Sequence, residues 1–417
     1  MSSTSPFSNT ETAFKLKSNS DLKRAEFLFS CIKIPSITKI GTAVIRFAIR
    51  YKLPFAKMVV KKTLFKHFCG GETMQKCLPV VQKIYENGVY SVLDYSVEGK
   101  EVDATFDNTM LETLKIVEFA AKNPSIPLTV FKPTGLGRLD LYAKVSTGAV
   151  LSRDERMEWD KVVDRYYQIC EECYRLGVPV MIDAEESWMQ QAVDDLTEEL
   201  MRKFNSEKCI VWGTIQMYRT GMLDFLKSQK EKAEAGGYLI GFKIVRGAYM
   251  EKERARAQKM GYPSPIQPDK ESTDRQYDEA LEYMVKNIDR ISLYAGTHNE
   301  RSNEYLMELI DLHLGGQGGE RADGLSVGEQ ASGQAGAQKG GQKNHPKIWF
   351  GQLYGMSDNI SFNLGHLGYN VTKYLPYGAV GNVVPYLLRR AEENTSVAGQ
   401  TGRELAFLRS ELQRRKG

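Results

Sequence analysis

The sequence predicts an α/β protein built as a (β/α)8 TIM-like barrel with a helical arm in front of it. From Tyr90 onward, eight short runs rich in β-branched residues alternate with longer helical stretches. Alternation of this kind pairs consecutive strands in parallel through crossover helices, and eight such units are the count that closes a barrel. Polar and charged residues recur at the ends of these runs, where a barrel gathers its chemistry. An open doubly wound sheet is the alternative. It calls for a Gly-rich phosphate loop after the first strand, and Asp94-Tyr95-Ser96-Val97-Glu98-Gly99 is not one.

The runs are Tyr90–Val97, Leu128–Phe131, Pro179–Ile182, Cys209–Ile215, Gly241–Val245, Ile291–Ala295, Lys347–Phe350 and Thr372–Leu375. Between them the helical pattern covers Asn108–Lys122, Arg153–Leu176, Trp188–Phe204, Arg219–Ala235, Thr273–Asn287 and Asn299–Leu312. At or just past the ends of the runs stand Lys132, Asp183, Gln216, Arg246, Tyr249, His298, Gln352 and Tyr374. Any one of these could simply satisfy backbone groups at a barrel end. Their recurrence on seven strands points to a functional rim.

Residues 88–417 are therefore expected to form the barrel and residues 1–87 a mostly helical arm that ends in an amphipathic Met74–Tyr85. Within the barrel, Gly315–Asn344 is rich in Gly, Gln and Ala and nearly devoid of large apolar residues. Such a stretch cannot bury enough surface to offset the entropy of ordering, so a flexible insertion is expected.

The net charge of +4 is unevenly spread. Between Phe27 and Gly71 there is no Asp or Glu but nine Lys or Arg, interleaved with Ile40, Val44, Phe47, Met58 and Phe65. A basic amphipathic pattern suits an anionic membrane surface or an acidic partner. An arm packed on the body with its lysines in water is the plainer reading. No nucleic-acid-binding motif accompanies the charge, and no nucleic-acid partner is expected. The chain has no run of eighteen uncharged apolar residues and its start has no signal or transit character, so a cytoplasmic protein is expected. The six cysteines are scattered. Cys170-x-x-Cys173 lacks a second pair and a nearby histidine, which points to free thiols in a reducing compartment and to no metal site.

The run Tyr386-Leu-Leu-Arg389-Arg390-Ala-Glu392-Glu393-Asn394 follows the last strand and reads as helix. Neighbouring side chains on a helix point about 100° apart, so Arg389 and Arg390 cannot share one face. They can still converge on one small anion, since a guanidinium fork grips a carboxylate bidentately. Tyr386 and Glu393 flank them at one-turn spacing, as an aromatic wall and a counter-charge. Taken alone, this helix reads as a solvated surface helix with ion pairs. Its place after the eighth strand favours the anion grip.

Several motifs in order, VLDYSVEG (92–99), FKPTGLG (131–137), IDAEES (182–187), FKIVRGAYMEKER (242–254), THN (297–299) and YLLRRAEEN (386–394), resemble those of the monofunctional proline dehydrogenase family. The resemblance covers roughly Tyr90 to the C-terminus. It implies a distorted barrel holding FAD at the C-terminal ends of its strands. The implied reaction is oxidation of L-proline to Δ1-pyrroline-5-carboxylate, by hydride transfer from C5 to the flavin N5, with electrons passed to a membrane quinone. It further implies that Lys132, Arg389 and Arg390 bind the proline carboxylate and that Tyr374, Tyr386 and Leu353 pack on the ring. Glu393 would hold an arginine by an ion pair, while Tyr249 and Asp183 would close the pocket between substrate and flavin. Gln216, Lys243, Val245, Gly247, Thr297, His298 and Gln352 would line the flavin, with Lys270 near its adenosine end.

Two departures stand out. Some bacterial members carry an arginine where Lys243 stands, and a lysine donates from a point rather than a fork. Pro268 replaces a threonine of other members. A 4-hydroxyproline dehydrogenase on the same scaffold is an alternative, discriminated by the bulky Tyr374; a non-catalytic barrel serving as a membrane-bound scaffold is another. Little chain follows Asn394, so the product is expected to pass to a separate pyrroline-5-carboxylate dehydrogenase. The basic stretch 27–71 is the candidate for contact with the inner face of the membrane and its quinone pool.

Overall fold

A computed structural model of the chain describes residues 5–51, 56–96, 103–315, 343–396 and 400–416. The Gly/Gln-rich stretch predicted as a flexible insertion lies outside the described residues except at its two ends, as does Val97 at the end of the first predicted strand. The side chain of Glu393 also lies outside them.

Eight parallel strands form the barrel: β1 (Tyr90–Tyr95), β2 (Thr129–Phe131), β3 (Val180–Ile182), β4 (Val211–Gln216), β5 (Ile240–Val245), β6 (Ile291–Gly296), β7 (Ile348–Leu353) and β8 (Val371–Tyr377). Their hydrogen-bonded order runs β1-β8-β7-β6-β5-β4-β3-β2. β1 and β2 lie side by side without a ladder, linked where Ser91 N donates to Ser125 O at 2.9 Å. The barrel is thus nearly closed, as predicted. Several strands run one to three residues past the apolar runs, so Gln216 and Gln352 sit inside strands rather than beyond them.

Side chains alternate across each strand. Val92, Val130, Met181, Trp212, Tyr294 and Tyr374 pack together inside the barrel. Leu93, Phe131, Ile182, Phe242, Ile244, Phe350 and Leu375 face outward into a larger core against the helices. Both faces are buried, which is why these strands read as continuous apolar runs.

Ahead of the barrel come α1 (Thr10–Phe14), α2 (Asn19–Ile32), α3 (Pro35–Arg50), α4 (Ala56–Val60), α5 (Lys66–Phe68) and α6 (Met74–Tyr85), with a π-helical turn at Lys61–Phe65. The outer layer comprises α7 (Asp103–Ala120), α8 (Leu139–Ser146), α9 (Arg153–Leu176), α10 (Ser187–Phe204), α11 (Met222–Gly236), α12 (Met250–Met260), α13 (Lys270–Lys286), α14 (Glu300–Leu314) and α15 (Asp358–His366). After β8 follow α16 (Val380–Ser396) and α17 (Gln400–Arg414). The caps that fix these helices are readable in the sequence. Ser152 and Glu155 form a capping box at the start of α9, and Gly177 ends it in the left-handed region at φ 69°.

One cluster joins the arm to the last helices. Phe29, Val60, Leu64, Phe65 and Phe68 pack with Val383, Val384, Tyr386, Leu387, Leu388, Leu405 and Leu408. The helix carrying the tandem arginines therefore rests chiefly on the arm and on α17.

Candidate active site

The alternation that fills the barrel also aims its polar tips. Asp94 is in phase with inward Val92, and Lys132 and Asp183 each follow an outward residue, Phe131 and Ile182. Lys243 falls between outward Phe242 and Ile244, and Tyr374 is inward on β8. All five meet at the C-terminal mouth.

There they form a chain of charge-assisted hydrogen bonds. Lys132 Nζ donates to both carboxylate oxygens of Asp94, at 2.9 and 3.0 Å, and lies 3.2 Å from Asp183 Oδ2. Asp183 Oδ1 accepts from Lys243 Nζ and, at 3.1 Å, from the Tyr374 hydroxyl. Lys243 Nζ also donates to Tyr374 Oη at 2.9 Å and stands over that ring, 4.8 Å from its centroid. Burial opposes the charge on Lys132, but the carboxylates of Asp94 and Asp183 outweigh it and raise its pKa. Burial likewise opposes the charge on Asp183, and Lys243 and Lys132 hold its carboxyl below the usual range. Asp94, which closes this network, was not singled out in the sequence. A lone carboxylate within the apolar run of β1 was the signal for it.

α16 lays its half-buried Arg389 and Arg390 over this mouth. The Arg390 guanidinium lies 5.3 Å from the centroid of the buried Tyr386 ring. The Tyr249 hydroxyl, its pKa raised first by burial, feels the charges of both Arg389 and Lys132. The Tyr386 hydroxyl, also raised by burial, feels both Arg390 and Lys132. Lys132 thus acts on both hydroxyls, Arg389 on that of Tyr249 and Arg390 on that of Tyr386. Leu353 packs both on the barrel interior and on the cluster beneath α16, which makes it an apolar wall beside Tyr374 and Tyr386. Lys132, Lys243, Arg389 and Arg390 share this region with the carboxylates of Asp94 and Asp183, and Glu185 and Glu186 act on Tyr249 as well.

The remaining predicted residues divide. Gln216 points inward, donates to Glu185 O at 3.0 Å and leaves its Oε1 buried without a partner. Val245 ends β5, and Gly247, two residues past it, takes φ 130°. Thr297 Oγ1 accepts from Arg246 Nη1 at 2.8 Å, and His298 Nδ1 pairs with Ser357 Oγ at 2.9 Å. Burial, with Lys373 and Arg390 nearby, lowers the His298 pKa to about 3, so its ring is neutral. Lys270 is exposed and ion-paired to Asp274, which also holds Arg246. Gln352 is placed otherwise than the resemblance implied. It shares the outward phase of Phe350, donates to Thr297 O at 3.1 Å and accepts from Ser361 Oγ of α15 at 2.7 Å. Its amide braces the layer outside the barrel.

Sequence reasoning also passed over Glu185. This buried side chain accepts from Thr134 N and Thr134 Oγ1, both at 2.8 Å, and so fixes the turn that follows Lys132. Burial, aided by Glu186, pushes its carboxyl up to about 7.

Charged and aromatic side chains gathered at the C-terminal mouth of a parallel barrel define the class: a (β/α)8-barrel enzyme. The chain belongs to the proline dehydrogenase family, whose model matches residues 77–319 and 327–403. It is thereby an oxidoreductase acting on a CH–NH bond. It is 33% identical over 348 residues to the carbapenem antibiotics biosynthesis protein CarD of Pectobacterium carotovorum subsp. carotovorum, covering 84% of this chain and 83% of that one. The mitochondrial proline dehydrogenase 2 of Arabidopsis thaliana is 31% identical, over 86% of this chain and 79% of its own length. A hydroxyproline dehydrogenase of Xenopus laevis is 28% identical, over 96% and 88%. Proline utilization A of Bdellovibrio bacteriovorus superposes with a TM-score of 0.67 at 23% identity, over 95% of this chain. This chain spans two fifths of that protein, and the likeness bears on the fold alone.

Proposed function

We propose that the chain oxidises L-proline to Δ1-pyrroline-5-carboxylate with FAD as its cofactor. The observation that carries this is the convergence of Lys132, Arg389 and Arg390 beside the rings of Tyr374 and Tyr386 and the side chain of Leu353. A carboxylate gripped by three cations, next to an apolar wall of ring size, is the outline of a cyclic amino acid.

One feature of the mouth suits a flavin: Gln216 Oε1 is a buried acceptor without a partner. Gln216, Lys243, Val245, Gly247, Thr297 and His298 would hold the flavin, with Lys270 toward its adenosine end. Bound FAD would supply the acceptor for the two electrons. The protein's own part is positioning. Lys132, Arg389 and Arg390 fix the carboxylate. Asp183 holds Lys132, Lys243 and the Tyr374 hydroxyl in one register, and Tyr249 closes the β5 side.

Proline is favoured over 4-hydroxyproline because Tyr374 cannot yield space. Its hydroxyl is tied to Asp183 and Lys243, and its ring lies edge-on to Tyr294 at 6.3 Å. A faster rate with 4-hydroxyproline than with proline would reverse that choice. Residues 1–87 act as an arm supporting the barrel 88–417. Quinone as acceptor and contact of segment 27–71 with the inner face of an anionic membrane complete the reading. No single helix among the described residues is long and apolar enough to cross a membrane.

Anaerobic titration of the flavin-loaded protein with L-proline tests the proposal. Bleaching of the flavin absorbance is expected, and Arg389→Met or Arg390→Met should shift the midpoint to much higher proline. Unchanged midpoints in both variants would remove the arginines from the site.

A further inference from the structure

We propose that α3 is an interfacial helix whose outer stripe seats in an anionic bilayer, and that this seating fixes α16 over the barrel mouth. The inference deepens the membrane reading above by naming the contact face and its effect on the site.

Ile37, Ile40, Val44, Phe47 and Tyr51 follow one another at spacings of 3, 4, 3 and 4 residues, which aligns them along one face of a helix. Ile40, Val44, Phe47 and Tyr51 each leave 57–66% of their surface in solvent. The opposite face carries buried Thr38 and Thr42, and Ile45 packs into the cluster shared with α16. A helix that buries one side in the protein and holds five large apolar residues out on the other has a second surface to cover.

Charge selects the occupant. Lys39 and Arg46 lie on the flank between the two faces, and Lys57 and Lys62 project from neighbouring elements, all of them exposed. No Asp or Glu occurs from Phe27 to Gly71. A second copy of the same stripe would bring like charges together along its flank. An anionic lipid surface accepts both features, the apolar face at the acyl boundary and the cations at the headgroups.

The consequence for the site follows from what holds α16. Its inner residues Val383, Val384, Leu387 and Leu388 rest in the arm cluster, and Lys57 of α4 lies against Gly381. Seating α3 removes freedom from the support of Arg389 and Arg390. A pre-set pair of arginines binds a carboxylate with less ordering cost.

The test sediments the flavin-loaded full chain with phosphatidylcholine vesicles, with and without phosphatidylserine. It also follows amide hydrogen exchange of residues 383–390. Wild type is expected to bind anionic vesicles at least about tenfold more tightly than neutral ones, and Val44→Asp/Phe47→Asp to lose that binding. Both positions are exposed, so circular dichroism of the variant should match wild type. Exchange in α16 should slow on vesicles, and the apparent KM for proline should fall several-fold for wild type only. No sedimentation, sedimentation unchanged in the variant, or a stripe-dependent dimer in place of lipid binding overturns the docking face. Docking that leaves α16 exchange and KM unchanged overturns the coupling. If exchange slows on vesicles while proline never bleaches the flavin, the substrate reading fails and this one stands.

Discussion

Lys132 is held by two carboxylates, yet it remains reachable at the mouth, with about a quarter of its side chain exposed (27%). A hydrogen bond to a charged group contributes roughly 1.5–3 kcal/mol. Lys132→Met is therefore expected to raise the KM for proline about 10- to 100-fold while the purified protein still takes up flavin. Asp94→Asn should shift KM less, because Asp94 acts on substrate only through Lys132. Steady-state kinetics of the two variants check the order. Glu185 offers a pH-dependent counterpart. Its folded pKa of about 7 lies above the ordinary 4.5, so the folded state holds the proton more tightly and loses stability as pH rises from 4.5 to 7. Glu185→Gln keeps an acceptor for Thr134 N and a donor for Thr134 Oγ1 but cannot ionise. Relative to wild type it should gain about 3 kcal/mol across that range, read from denaturation midpoints, since each pKa unit corresponds to about 1.4 kcal/mol. A constant difference between the two proteins would count against it.

At the scale of elements, strand phase decides what each rim residue does. On β8 the single step from Lys373 to Tyr374 moves a side chain from beneath the arm to the barrel interior. The end of β5 shows the same economy of space. A Cβ at Gly247 would lie 2.4 Å from the Tyr218 ring, on backbone at φ 130°. Gly247→Ala should cost about 1–3 kcal/mol of stability and lower flavin retention on gel filtration, because the tip of β5 must shift. Retained flavin with full stability would show that this backbone has room to move. The strands were readable because both their faces are buried, and the long helices because one face is buried and their caps are local. The placement of Gln352 was not, because an apolar run announces a strand without fixing where it stops.

Across the whole molecule, the arm is fastened to the barrel by buried charge. Asp358 at the start of α15 lies 3.2 Å from Lys17 and 2.9 Å from Lys373, which is only 1% exposed. His67 lies 2.7 Å from Gly355 O, and Glu404 of α17 accepts from Ser357 N. Asp358→Asn would leave buried Lys373 and half-buried Lys17 without this anion, a loss of about 3–5 kcal/mol. Burial raises the Asp358 pKa, but Lys17 and Lys373 outweigh it and hold the carboxyl below its ordinary value. Its stabilisation is therefore present above the ordinary carboxylate range and lost as pH falls through the folded value. Denaturation midpoints of wild type and Asp358→Asn should differ near neutrality and converge in acid.

The sequence by itself determined the eight strands, the capped helices between them, the basic amphipathic arm and the family, because each is written in local patterns of burial, capping and motif. It also named Lys132, Arg389 and Arg390. Only the tertiary structure packed α16, which carries the two arginines, on the arm and on α17. It alone paired Asp94 with Lys132, revealed Glu185 behind Thr134 and turned Gln352 outward. Contacts between residues far apart in the chain are fixed by strand phase and packing, which local sequence does not record.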